Sequence, residues 1–231
     1  MDEAVTTGTS DMSSQISKIK AANPDVINVS FYTPEMIIFD KALMANKVNP
    51  PFGVWSVGGG NQDPAYFDSV DASVYDYHFV QEDWNVSMPY LYDWAGELNE
   101  KVKAEKGYGL NSFFAQGWTA AYVAYDALEA AGSSDKGAIR DALAGLELTL
   151  NEDDHTLLSG YPGLKFDENG QNTMSTGTMV QYQKGVAIPF SPTSNLLPGY
   201  SLDDIIVPIP DDFADRGKDA KPWGTPPEVR Q

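Results

Sequence analysis

Three short stretches of this chain bring together side chains that can hold a small molecule. The first is Gly58-Gly59-Gly60-Asn61-Gln62-Asp63-Pro64. Glycines let backbone approach a ligand closely and leave main-chain N–H groups to donate. Asn61 and Gln62 add amide donors and acceptors. The run holds neither GxGxxG nor GxxxxGK followed by Ser or Thr, so it is not a dinucleotide fingerprint or a phosphate loop. The second stretch is Tyr32-Thr33, where a tyrosine offers a ring face and a hydroxyl. The third is Gln81-Glu82-Asp83-Trp84, in which Glu82 can meet an ammonium group and Trp84 can wall a pocket. Each stretch also has a plain structural reading. The glycines suit a tight connection, the tyrosine suits packing over the next helix, and loop carboxylates are usually just solvated.

Catalytic chemistry has less to build on. The chain has no cysteine, which removes thiolate metal sites, disulfides and a cysteine nucleophile. Its two histidines are His78, inside a strand-like run, and His155. Asp153-Asp154-His155 has metal-ligating types, but adjacent residues cannot all face one ion without a special loop. Asp167-Glu168-Asn169-Gly170 has the composition of a calcium loop with the wrong ligand spacing and no closing glutamate. Neither GxSxG nor HExxH occurs. The expectation is no catalytic residue, no metal and no cofactor. The competing enzyme reading places a metal on Asp153, Asp154 and His155. Phe113, Phe114, Trp118, Tyr122 and Tyr125 recur at helical spacing, as a core stripe does.

The elements that must position the three stretches alternate. Ser10-Asp11 caps a helix with Met12, Ile16 and Ile19 on one face. Val26 to Phe31 is a short strand run. Thr33-Pro34-Glu35 then supplies a cap, a first-turn proline and a first-turn acid for a helix to Asn46. Phe52 to Val57 is a second strand, Asp63-Pro64 starts another helix, and Val74 to Val80 is a third strand. Strand, helix, strand, helix, strand at this spacing reads as a parallel α/β sheet. The three stretches then fall at strand carboxyl ends, where open sheets bind ligands. The middle is helical. Ser87-Met88-Pro89 opens a helix carrying Leu91, Trp94, Leu98 and Val102. Asn111 or Ser112 caps a long helix from Phe113 to Ala131, which Gly132 ends, and Ser134-Asp135 caps a short one. Further on, Leu164-Lys165-Phe166 and Thr178 to Tyr182 read as a β-hairpin around Asn169-Gly170. Lys184-Gly185 turns the chain again, and prolines and paired aspartates dominate from Ser191.

Composition excludes whole classes of partner. The 231 residues carry 15 Lys and Arg against 33 Asp and Glu, a formal charge of −18. Such a surface repels phosphate backbones and anionic lipid, so neither nucleic acid nor a membrane is expected as a partner. Hydrophobic residues at 42% rule out disorder. No apolar run reaches the ~20 residues of a membrane span, and Met1-Asp2-Glu3-Ala4 lacks a secretion signal's basic and apolar regions. No Lys or Arg occurs between Lys47 and Lys101, where Asp and Glu are frequent. That stretch is either a solvated acidic face or a cation-friendly rim around a cleft.

The ordered set of motifs resembles one family. Ser10 to Val26, Phe31-Tyr32-Thr33-Pro34-Glu35, the glycine loop ending Asp63-Pro64-Ala65, Tyr122 to Gly132, and Leu164 to Gln171 are similar, in order, to the type 1 periplasmic solute-binding proteins of ABC transporters. The branched-chain amino-acid-binding branch is nearest. The likeness spans Thr9 to Pro189. It implies an α/β fold of two lobes, each a parallel sheet flanked by helices, with a C-terminal β-hairpin. The lobes close over a solute, and the protein does no chemistry. It implies a periplasmic or extracellular carrier that delivers a small polar or amino-acid-like solute to a membrane permease. A ligand-sensing domain of a signalling receptor on the same fold is the alternative, since fold alone does not separate them. By the likeness, residues 1–82 form a second-lobe βαβ segment lacking its first strand and helix. Residues 83–150 are first-lobe helices without their core sheet, 151–190 a hairpin returning to the second lobe, and 191–231 an extended Pro- and Asp-rich tail. The expectation is a truncated family member whose first-lobe helices expose aromatic faces. The expected ligand contacts are Tyr32, Thr33, Gly58, Gly59, Asn61, Gln62, Glu82 and Trp84. The family's acidic junction residue has no counterpart in Val57-Gly58-Gly59-Gly60, which points away from an ordinary α-amino acid and toward a larger, less polar or amide-bearing ligand.

Overall fold

The computed structural model describes residues 1–84, 93–149 and 162–223, with 225, 227, 228 and 230. In chain order the described elements are α1 (Ser13–Ala22), β1 (Ile27–Ser30), α2 (Thr33–Ala45), β2 (Val54–Val57), α3 (Pro64–Ser69), α4 (Ala72–Tyr75), β3 (Phe79–Glu82), α5 (Asp93–Lys106), α6 (Ser112–Ala131), α7 (Lys136–Ala144), β4 (Glu147–Thr149), β5 (Gly163–Lys165), β6 (Thr178–Gln183) and β7 (Val186–Ser191). They form two compact units, Met1–Glu82 with Met179–Gln231, and Asp83–Thr178.

The first unit is built on a five-stranded sheet in the order β1-β2-β3-β6-β7. β1, β2 and β3 are parallel, with Ser30 beside Val57 and Ser56 beside Val80. β6 and β7 are antiparallel. The helix starts are chemically specified. Asp63 accepts the Ala65 N–H ahead of Pro64, and Asp71 accepts the Ser73 N–H. Asp11 accepts the Ser13 N–H at the start of α1. At α2 the cap position belongs to Tyr32 rather than Thr33, which is already helical. Met36, Phe39, Leu43, Val54, Tyr66, Phe79, Val180 and Tyr182 are buried in this unit. The residues from Ser191 onward pack on it too. Asn49 Nδ2 donates to the carbonyls of Pro210 and Asp211 at 2.8 Å, and the Gln181 side chain pairs with the Ile206 backbone.

Two expectations are corrected here. The third strand begins at Phe79, not Val74. Asp71 caps a helical turn over Ala72–Tyr75, and Tyr77 at φ 68° reverses the chain before pairing starts. His78 therefore precedes β3, and Glu82 is its last residue. The C-terminal hairpin is β6–β7, not 164–166 with 178–182. Asn169-Gly170 does turn the chain, but it closes only the Phe166–Asn172 bridge, and β5 pairs with β4. Lys184 and Gly185, at φ 51° and 81°, supply the two left-handed residues that a tight hairpin needs.

The second unit holds α5, α6, α7 and the β4–β5 pair. Trp84, Ala95, Val102, Leu110 and Ala115 form one core, with Trp94, Leu98, Phe114 and Trp118 against it. Val123 and Leu164 form another, with Leu143, Leu146, Leu148 and Phe166. Asn111 caps α6 through the Phe114 N–H, and Gly132 ends it. The aromatic stripe of α6 is only partly core, because Phe113 and Tyr125 are 46% and 55% exposed. The expected helix opening at Ser87–Pro89, and Asp153, Asp154 and His155, lie outside the described residues.

Candidate ligand-binding site

Two strand-to-helix junctions come together because β1 and β2 are adjacent and parallel. β1 ends at Ser30 and β2 at Val57, side by side in register. The segments that follow, Phe31-Tyr32 and Gly58 to Asp63, therefore leave the same sheet edge, the place where open α/β sheets take ligands. The two connections are packed tightly. A Cβ at Gly60 would lie 2.7 Å from the Phe31 carbonyl oxygen and 2.9 Å from Met36 Cβ, and one at Gly58 would lie 2.8 Å from Ser30 Oγ. Glycine is required there for packing.

The expected contact residues fall into three groups. Tyr32 is 70% exposed at the mouth of its junction, with Thr33 next to it at the first turn of α2. Asn61 and Gln62 are buried. Gln62 Nε2 donates to the Gln81 carbonyl at 2.6 Å, tying the β2 junction to β3. Asn61 accepts a 3.4 Å hydrogen bond from Tyr182 Oη through its main-chain oxygen, while its side-chain Oδ1 and Nδ2 have no partner among the described residues. An unsatisfied buried amide costs about 1–3 kcal/mol, so a polar group that reaches it gains the corresponding amount. Glu82 is buried, and its Oε1 accepts the Tyr182 hydroxyl at 2.6 Å. Burial first, and then the Glu82 charge, hold the Tyr182 hydroxyl well above its ordinary pKa, so it stays a donor. Trp84, expected to wall a pocket, packs among apolar side chains. It is 1% exposed in the core of the second unit, where Ser112 Oγ donates to its carbonyl.

Sequence reasoning missed Tyr182, because the pattern around it reports only a hairpin and its partner stands 100 positions away. It also missed a sealed polar cluster deeper in the same unit. The Tyr66 hydroxyl donates to Asp40 Oδ2, and both side chains are fully buried. Burial pushes the Asp40 carboxyl up to about 8, against the pull of the Tyr66 hydrogen bond and the Arg216 charge. Burial and then Arg216 hold the His78 imidazole down at about 3, so the ring is neutral and its Nδ1, 3.9 Å from Asp40 Oδ2, makes no ion pair. Asp76 accepts the N–H groups of Gly185 and Gly217. Among the described residues no group of three acidic, His or Cys side chains is placed to hold a metal.

The sequence profile described as periplasmic binding protein matches residues 1–186. The chain belongs to the periplasmic binding protein family. A Leu/Ile/Val-binding protein homolog of Brucella abortus is 27% identical over 190 residues, covering 80% of this chain and 45% of the relative. A leucine-binding protein from Thermotoga maritima superposes with a TM-score of 0.63 at 22% identity, over 80% of this chain and 49% of that one. An ABC-transporter solute-binding protein from Rhodopseudomonas palustris, in complex with benzoate, gives 0.64 at 14% identity, over 80% and 48%. The chain thus spans about half the length of the relatives it matches. These likenesses agree with the mixed α/β, parallel-rich architecture and with the family resemblance of the motifs. Among the described residues no helix is long and apolar enough to cross a membrane.

Proposed function

We propose that this chain supplies part of a solute-binding protein of an ABC importer, working outside the cytoplasmic membrane and handing its solute to a permease without chemistry. The observation that carries the reading is the pair of adjacent junctions, with Tyr32 exposed and the Asn61 amide buried without a partner among the described residues. In this reading Met1–Glu82 with Met179–Gln231 belongs to the second lobe, and the helices of Asp83–Thr178 to the first. Tyr32, Thr33, Gly58, Gly59, Asn61 and Gln62 contact the solute, and Glu82 orients Tyr182 behind them. The Glu82 carboxylate already accepts the Tyr182 hydroxyl, and Val57 to Gly60 supplies no acid. A solute with an amide, carboxylate or aromatic group therefore fits better than one recognised through its ammonium.

A thermal melt of the purified chain against pooled amino acids, amides, polyamines and small aromatic acids tests this. One pool is expected to raise the midpoint, by about 2.7 kcal/mol of stability at a hundredfold excess over Kd. Tyr32→Ala, at an exposed position, is expected to keep the unliganded midpoint and lose the shift. A midpoint that no pool moves, with a cooperative transition intact, overturns the reading for this chain.

A further inference from the structure

A buried cation in the wall of a pocket on the first unit has no anion against it. Arg216 is 3% exposed. Its Nε donates to the Pro210 carbonyl at 3.3 Å and its Nη1 to the Val74 carbonyl at 3.5 Å, and its guanidinium lies 4.4 Å over the Phe213 ring. Among the described residues Nη2 has no hydrogen-bond partner and no carboxylate forms an ion pair with the guanidinium. Asp76 acts on it from further off, with its two oxygens turned to the Gly185 and Gly217 N–H groups. Asp40 holds its proton up to about 8 and supplies little countercharge below that pH. A charge taken out of water in this way is costly until something of opposite sign meets it.

The pocket beside it has a volume of about 770 Å³. Lys47 and Lys218 line it too, both exposed and neither in an ion pair among the described residues. Three of the chain's 15 basic residues thus meet at one place on a molecule of net charge −18. Met44 and Phe213 add apolar surface. The lining also holds Asp71, Asp211 and Asp212. Asp71 accepts the Ser73 N–H and hydroxyl, and Asp212 the Ala214 N–H, so both serve their own turns. The place is separate from the candidate solute site. Tyr32 precedes the first residue of α2, whereas Met44 and Lys47 stand at its other end, about 18 Å along at 1.5 Å per residue. The wall from Asp211 to Lys218 also lies beyond residue 186, where the family match ends.

We propose that this pocket is a second binding site, taking a small organic monocarboxylate whose oxygen accepts from Arg216 Nη2 while Lys47 and Lys218 flank it. Charge-assisted hydrogen bonds to a guanidinium are strong, and they strengthen where water is excluded. Asp71, Asp211 and Asp212 set the class of anion. They penalise a second negative charge, so a monoanion fits better than phosphate or sulfate. Met44 and Phe213 offer the apolar contact that an organic body gains from and a bare ion does not.

The test is an NMR titration of the full chain with sodium propionate, read at the Arg216 Nε–H and the Phe213 ring. Sodium chloride and sodium sulfate at matched ionic strength, and propionamide, are the comparisons. Propionate is expected to give a saturable shift at both groups. Propionamide, which keeps the shape and lacks the charge, is expected to give none. Lys47→Gln combined with Lys218→Gln, at two exposed positions, is expected to weaken propionate binding by about threefold. Tyr32→Ala, in the candidate solute site, is expected to leave it unchanged. The proposal is overturned if the Arg216 signal stays still, if chloride or propionamide moves it equally, or if sulfate binds more tightly than propionate. It is equally overturned if the double variant binds as the parent chain does, or if Tyr32→Ala abolishes the shift.

Discussion

Asp40 and His78 show how single residues set the pH response of the fold. Asp40 holds its proton far more tightly folded, at about 8, than the ordinary 3.8. Its stabilising contribution is therefore full at low pH and declines as pH rises from about 4 to about 8. His78 runs the other way. With a folded pKa of about 3 against 6.5, its contribution is present above about 6.5 and is lost as pH falls toward 3. The two slopes oppose between about 4 and 6.5, and Asp40 prevails above. Asp76, also raised by burial, adds a further loss as pH rises, so the clean measure is a difference. Between pH 5 and 7, native stability is expected to fall relative to Asp40→Asn by on the order of 1 kcal/mol per pH unit. Urea unfolding of both chains across that range checks it, and parallel curves would remove Asp40 from the account. None of this was legible in the sequence. Asp40 lies in an ordinary amphipathic helix pattern, and only the fold encloses it with Tyr66 and Arg216.

At the scale of elements, glycines separate packing from permissiveness. Gly60→Ala would drive a Cβ to 2.7 Å from the Phe31 carbonyl, a main-chain atom that cannot step aside cheaply. A loss of about 1–3 kcal/mol is expected, the usual cost of overpacking. Gly117, inside α6, has nothing within 4 Å of an added Cβ. Gly117→Ala is expected to gain about 1 kcal/mol from helix propensity. Denaturant midpoints of the two variants should move in opposite directions, and movement in the same direction would contradict these local surroundings. Caps and periodicities made most helices readable in advance, because a helix start is decided within four residues. The β6–β7 hairpin was less readable. Asn169-Gly170 is the stronger local signal, yet Asn172 Oδ1 accepts the N–H groups of Lys165 and Met174, so the chain folds back there before a ladder can grow.

Across the whole molecule, net charge has the widest reach. At −18, like charges crowd a folded surface more than an expanded chain. Raising NaCl from about 0.02 M to about 0.3 M shortens the screening length to below about 10 Å and should raise the thermal midpoint. A midpoint that falls or stays level over that range would show that favourable ion pairs outweigh the repulsion. The described ion pairs are few and mostly exposed, such as Lys18–Glu3 and Lys165–Glu147, where each contributes little. The exposed faces of Phe113, Tyr125 and Leu128 on α6 belong to the same scale. They follow from an apolar helix that meets cover on only part of its circumference.

The amino-acid sequence by itself determined the alternation of strands and helices, the capped helix starts, the net charge and the family resemblance. Each of these rests on neighbours within about a turn or a strand, or on composition summed over the chain. Only the tertiary structure decided which junctions stand side by side, that Trp84 belongs to a core, and that Tyr182 meets Glu82 across 100 positions. Those facts depend on sheet order and burial. Register between distant segments and the desolvation of a side chain are properties of the packed assembly, and no local pattern carries them.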